Sequence, residues 1–154
     1  MLMTLPAYDE RGFLPPGIHI ATWQEITARF GGTSARDALL EGLRDALALL
    51  TVVGCRQAWI DGSFVSNIET RAGRPPGDID VCWDLAGVDI ARLATVVPEL
   101  HPLIGNLAAR RRRFGGDYFP VTEPITIGQV EAFQFTRDGE RKGIVLLILE
   151  GGAL

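Results

Sequence analysis

"GSFVSNIETRAGRPPGDIDV", residues 62–81, is the stretch on which the fold turns. It opens with Gly-Ser straight after the apolar run "RQAWI" (56–60) and closes on two aspartates one residue apart inside "DIDVCW" (78–83). Both flanking runs read as strands, the first short and β-prone and the second alternating. Aspartate is a poor strand former, so Asp78 and Asp80 need a reason to be there. In a strand, residues two apart share a face, with Cα atoms roughly 6.5–7 Å apart. Asp78 and Asp80 therefore point one way, while Ile79 and Val81 point into apolar packing. Two like charges on one face repel, and a divalent metal would offset the repulsion. Carboxylate oxygens suit Mg²⁺, which keeps open positions for phosphates, and a carboxylate pair can serve two such ions about 3.5–4 Å apart.

Gly62 and Ser63 supply complementary chemistry. A glycine leaving a strand lets backbone N–H groups come close to a ligand. The serine hydroxyl adds a donor, and amides at a helix start favour anions. Donors facing a metal-binding carboxylate pair make a cradle for a triphosphate.

Outward from this stretch, residues 1–21 read as an extended N-terminal arm, because Pro15, Pro16 and Gly17 oppose helix. Residues 22–154 read as one domain. Thr22 with Glu25 forms a capping-box pattern before "ITARF", and Gly31-Gly32 stops that helix. Thr33 or Ser34 caps a second helix, whose apolar stripe Leu39, Leu43, Ala46, Leu50 and Val53 leads to a stop at Gly54. Residues 88–97 suit a helix stopped by Pro98, "DYFPV" (117–121) a strand, and 128–136 a helix. Asp138-Gly139 is a turn, and "KGIVLLIL" (142–149) a continuous apolar strand. The class is α/β (α+β), a small mixed sheet flanked by helices.

The 154 residues, 47% of them hydrophobic, suffice for one cored domain. A net charge of −4 argues against a general nucleic-acid coat, though "RRRR" (110–113) remains a local basic run, open as a solvated face or as a phosphate or RNA contact. No apolar run reaches the ~20 residues a bilayer span needs, and "MLMTLPAYDERGF" lacks the pattern of a signal peptide. A cytoplasmic location is expected, with Cys55 and Cys82 as reduced core thiols. Trp23, Trp59 and Trp83 read as packing residues, and Asp84 as a strand-end cap.

The segments "IDGSF" and "GDIDV" resemble the signature of the polymerase-β-type nucleotidyltransferase superfamily. That signature is an apolar residue, Gly-Ser or Gly-Gly, a loop, and Asp-x-Asp/Glu in a strand. With "LPPGIH", "TWQEI", "RFGG", "RFGGDYFP" and "RDGERKGI", nearly the whole chain resembles a small bacterial family within that superfamily. One departure is a longer loop, with "NIETRAGR" inserted between Ser63 and Asp78. The resemblance implies a nucleotidyltransferase-like fold. It also implies transfer of a nucleoside monophosphate from an NTP to an acceptor hydroxyl of a protein or a tRNA, as in toxin–antitoxin components. By the same token Asp78 and Asp80 would hold Mg²⁺ or Mn²⁺, joined by a third carboxylate: Asp117 in first place, Glu131 in second. Gly62 and Ser63 would hold the phosphates, and Lys142 either reaches a phosphate or caps its strand. The alternative is a module that keeps the fold, binds a nucleotide or partner, and transfers nothing.

Overall fold

The computed structural model describes residues 5–122 and 127–154. Five strands form one mixed sheet: β1 (Gly17–Ile20), β2 (Gln57–Asp61), β3 (Ile79–Asp84), β4 (Gly116–Val121) and β5 (Gly143–Ile148), in the spatial order β1-β5-β2-β3-β4. The central pairs β5–β2 and β2–β3 are antiparallel, and the outer pairs β1–β5 and β3–β4 are parallel. Among the described residues the helices are α1 (Trp23–Phe30), α2 (Ser34–Val52), α3 (Ile68–Ala72), α4 (Ile90–Val96), α5 (Leu107–Phe114) and α6 (Ile127–Phe133). This is the expected mixed α/β class. No described helix is long and apolar enough to cross a membrane.

Local chemistry accounts for the long elements. Thr22 and Glu25 close a capping box on α1, and Thr33 caps α2 through the Arg36 N–H. Leu39, Leu43, Ala46, Leu47 and Leu50 of α2 are buried with Ile26 and Phe30 of α1 and with Ile60, Val81 and Val145 of the sheet. The opposite sheet face carries a smaller cluster, Trp59, Cys82, Ile144 and Val121, with Val130 and Phe133 of α6 against it. Trp59 and Trp83 are buried and Trp23 packs at the core's edge, as packing residues should. Cys55 and Cys82 are buried free thiols.

Several expectations are corrected. Residues 5–21 run without helix, but they are not separate from the domain. Leu5, Leu14 and Ala21 enter the main core, and β1 pairs with β5 at the sheet edge. Prolines exclude helix, yet leave the four residues after them free to join a ladder. The strands around the key stretch shift by one residue, so β2 gains Asp61 and β3 loses Asp78. Two helices were not anticipated. The inserted loop folds its middle into α3, and the arginine run sits in α5, capped by Asn106. Arginine is a good helix former, but α5 buries only Phe114 and so leaves no apolar stripe to read.

Candidate functional site

The pairing register builds the site. Asp61 of β2 faces Asp80 of β3, and Asp80 faces Asp117 of β4. Residues paired across a sheet share a face, so three carboxylates form a row over three adjacent strands. The next row on that face is Trp59, Cys82 and Phe119, the apolar floor beneath α6. Strand β4 can run so close to β3 because Gly116 has no side chain. A Cβ there would lie 1.8 Å from the Ile79 carbonyl oxygen. Pro120, which has no ladder donor, falls on β4, the edge strand.

Asp80 is the least compensated member of the row. Burial pushes its carboxyl up to about 6, and the charges of Asp78, Asp61 and Asp117 add to the rise, with Lys142 opposing. Asp61 is more deeply buried, and burial raises its carboxyl too, but the Lys142 ammonium pulls it back from 2.8 Å. Asp117 accepts from Arg110 Nε and from the Tyr118 N–H, each at 2.9 Å and both on Oδ1. Asp78 lies 3.6 Å from Arg111. The arginine run thus reaches two of the carboxylates while Arg113 turns away to Glu99.

The loop after β2 forms the facing wall. Gly62 has φ +89° and opens a single turn of 3₁₀ helix over Ser63–Val65. A side chain there would be strained, and its Cβ would crowd Asp80 Oδ2 at 3.1 Å. Arg36 of α2, buried beneath the loop, fixes its course. The guanidinium donates to the carbonyls of Phe30, Phe64 and Ser66, and in bidentate fashion to Glu69 of α3. The inserted segment is therefore held in place rather than looped out. Its helical phase, three and seven residues before Leu39 and Leu43, puts Arg36 on the buried stripe of α2; its charge is what sets it apart from that stripe in the sequence, and the loop carbonyls and Glu69 offset its burial.

A cavity of about 450 Å³ lies between these walls, lined by Gly62, Ser63, Asp78, Asp80 and Lys142 together. Of the residues expected at the site, these five meet in one place. Asp117 stands beside Asp80 in the row without lining the cavity. Glu131 does not join them; it is exposed on α6 and bonded by Gln134. The cavity also takes in cations that sequence reading missed: Arg71, Arg74 and Arg137, the last from the Asp138-Gly139 turn. Asp61 was missed as well, although it shares the Trp59 face once β2 is extended by one residue. Asp84 accepts from Gln57 Nε2 and the Ala86 N–H, a strand-end cap as expected.

As the side chains stand, no group of three or more His, Cys, Asp or Glu among the described residues is arranged to hold a metal ion. The donor set nonetheless fits a hard divalent cation. Asp78 and Asp80 line the cavity, and the charges of Asp78, Asp61 and Asp117 are all felt by Asp80. Opposite them stand a glycine-serine turn and basic side chains suited to phosphate oxygens.

The family described as "Family of unknown function (DUF6932)" matches residues 6–148, and the chain belongs to it. No curated protein and no solved structure matches.

Proposed function

We propose that this chain is a nucleotidyltransferase, moving a nucleoside monophosphate from an NTP to a hydroxyl of a protein or RNA acceptor. The observation that carries the reading is the meeting of Gly62, Ser63, Asp78, Asp80 and Lys142 around one cavity, with Asp61 and Asp117 completing the carboxylate row. The backbone at Gly62 and the Ser63 hydroxyl would bind the outer phosphates, with Lys142 neutralising them. Asp61 positions Lys142 through their ion pair. Asp78 and Asp80, with Asp117, would hold Mg²⁺ or Mn²⁺. When bound, the cation supplies charge neutralisation on the triphosphate and acidifies the acceptor hydroxyl. The acceptor oxygen bonds to the α-phosphorus, the bond from that phosphorus to the bridging oxygen breaks, and pyrophosphate leaves. The hydroxyl proton passes to a carboxylate of the row, where both hydrogen bonds that Asp117 accepts among the described residues fall on Oδ1.

A second reading has its own observation. Arg110 on Asp117 and Arg111 beside Asp78 occupy part of the would-be ligand set, as a nucleotide-binding module without transfer would tolerate. One experiment separates the two. Thermal melts with each NTP and Mg²⁺ should show a joint stabilisation, lost in Asp78→Asn and Asp80→Asn. Incubation with α-labelled NTP and cell lysate should then label an acceptor. Stabilisation without any labelling favours the binding module, and no stabilisation by any NTP at millimolar concentration defeats both readings.

A further inference from the structure

A second cavity, of about 410 Å³, adjoins the first and shares Ser63, Arg74 and Asp78 with it. Its remaining lining is Gly77, Arg111 and Gly115. We propose that this second cavity seats the acceptor, and that the acceptor carries a phosphate beside its reacting hydroxyl, as the end of an RNA strand does. The inference rests on the transferase reading above and narrows its acceptor.

The two linings differ. The first cavity holds the Gly62-Ser63 turn, Lys142 and Asp80, the equipment for a triphosphate. Among the described residues the second has no large apolar side chain and no aromatic to seat a hydrophobic protein anchor. It offers two guanidinium groups, Arg74 and Arg111, against the single carboxylate of Asp78. Guanidinium forks match phosphate oxygens in bidentate geometry. Arg111 is available for this: its 3.6 Å pair with Asp78 is half-exposed on both sides, and such pairs are worth little. A phosphate would replace a weak partner with a stronger one. Arg112, next on α5, is exposed and makes no ion pair among the described residues, so the basic surface continues past the cavity. In a chain of net charge −4, that local concentration of cations favours an anionic ligand. Asp78 lines both cavities, so a hydroxyl entering from the second reaches the donor's α-phosphate past the carboxylates. The oxygen–phosphorus bond forms there, the proton goes to the carboxylate row, and pyrophosphate leaves through the first cavity.

The test uses the full chain and a fluorescein-labelled 12-nucleotide single-stranded RNA, read by anisotropy. Adenosine 5′-monophosphate serves as competitor, and NTP–Mg²⁺ melts are run in parallel. Arg111→Gln should weaken RNA binding about 3- to 10-fold and lower the salt slope by about one. The NTP–Mg²⁺ stabilisation should persist or grow, because the change removes a cation from beside Asp78. Arg111→Lys should recover part of the affinity, which shows that any loss is not misfolding. With α-labelled NTP the label should appear on the RNA. Label appearing on a monophosphate instead supports the phosphate-bearing acceptor in its small-molecule form. NTP stabilisation with no Arg111-dependent binding of RNA or monophosphate overturns this proposal and leaves the transferase reading standing, as does labelling of a protein hydroxyl. Absence of NTP stabilisation removes the transferase reading, and the acceptor seat with it.

Discussion

On the β2 side of the first cavity every buried charge has an answer; on the β3–β4 side it does not. Arg36 spends its five donors on three carbonyls and the Glu69 carboxylate. Asp61, buried on the same side, has Lys142 at 2.8 Å. Beside Asp61 in the row, Asp80 has no ion-pair partner among the described residues and feels three other aspartates. A charge that is fully hydrogen-bonded builds structure. A charge left in surplus at a cavity wall destabilises the free protein and awaits a ligand. The first wall is a scaffold, and the second is the one to which the proposed function assigns binding.

The sharpest break in the comparison is Arg36→Ala. Removing the guanidinium orphans the carbonyls of Phe30, Phe64 and Ser66 and empties a buried site. A loss of about 3–5 kcal/mol is expected, which for a domain of this size lowers the melting temperature by roughly 6–20 °C. Arg36→Lys should recover little, because an ammonium cannot reproduce the fork. A calorimetric melt reads both, and a drop under 2 °C would mean that the loop holds its course without the clamp.

Next in size is Lys142→Ala, which leaves Asp61 buried and unpaired. The cost should be about 2–4 kcal/mol near neutral pH. Burial already raises the Asp61 carboxyl, and losing Lys142 raises it further. The folded variant then holds its proton to higher pH than the unfolded chain, so the cost should shrink as the solution is made acidic. Lys142→Ala with Asp61→Asn should recover more than half of the loss, which a double-mutant cycle measures directly. Simple additivity of the two changes would show that the pair is not coupled.

These two sites also mark how far the sequence could be read. The carboxylate wall was legible in part: strand periodicity gives Asp80 its face, Asp78 falls one residue before β3 yet lines the same cavity, and "DYFPV" reads as the strand that brings Asp117 beside Asp80. The scaffold wall was not. Arg36 falls on the stripe of Leu39, Leu43 and Leu50, but the groups that offset its charge come from a loop that begins 26 residues later with Gly62, and no local pattern names them. Asp61 was lost to a one-residue error in a strand end, the least determined feature of any element. Helix α5 escaped because four arginines in eight residues leave no apolar period. Which of those arginines turn toward the aspartates is decided by β4 pairing parallel to β3, a tertiary choice.

The smallest expected effect bears most directly on the difference between the walls. Asp80→Asn removes the surplus charge without changing the side chain's shape. In the folded protein the Asp80 carboxyl is pushed up to about 6, whereas an unfolded aspartate titrates near ~3.9. Between those values the folded state binds more protons than the unfolded one. The contribution of Asp80 to stability is thus fully present below about pH 4, falls as pH rises through 6, and stays low above. Because the side chain still sees solvent, the discounted effect is about 1 kcal/mol. Asp80→Asn should therefore be more stable than the wild type by about that amount at pH 7.5 without added metal, with the advantage fading toward pH 4. Mg²⁺ and NTP should stabilise the wild type and leave the variant unmoved. Denaturant titrations at pH 4, 6 and 7.5 measure the difference. A wild-type and Asn pair whose gap does not change across that range would mean that Asp80 is as well compensated as Asp61, and the two walls would then be alike.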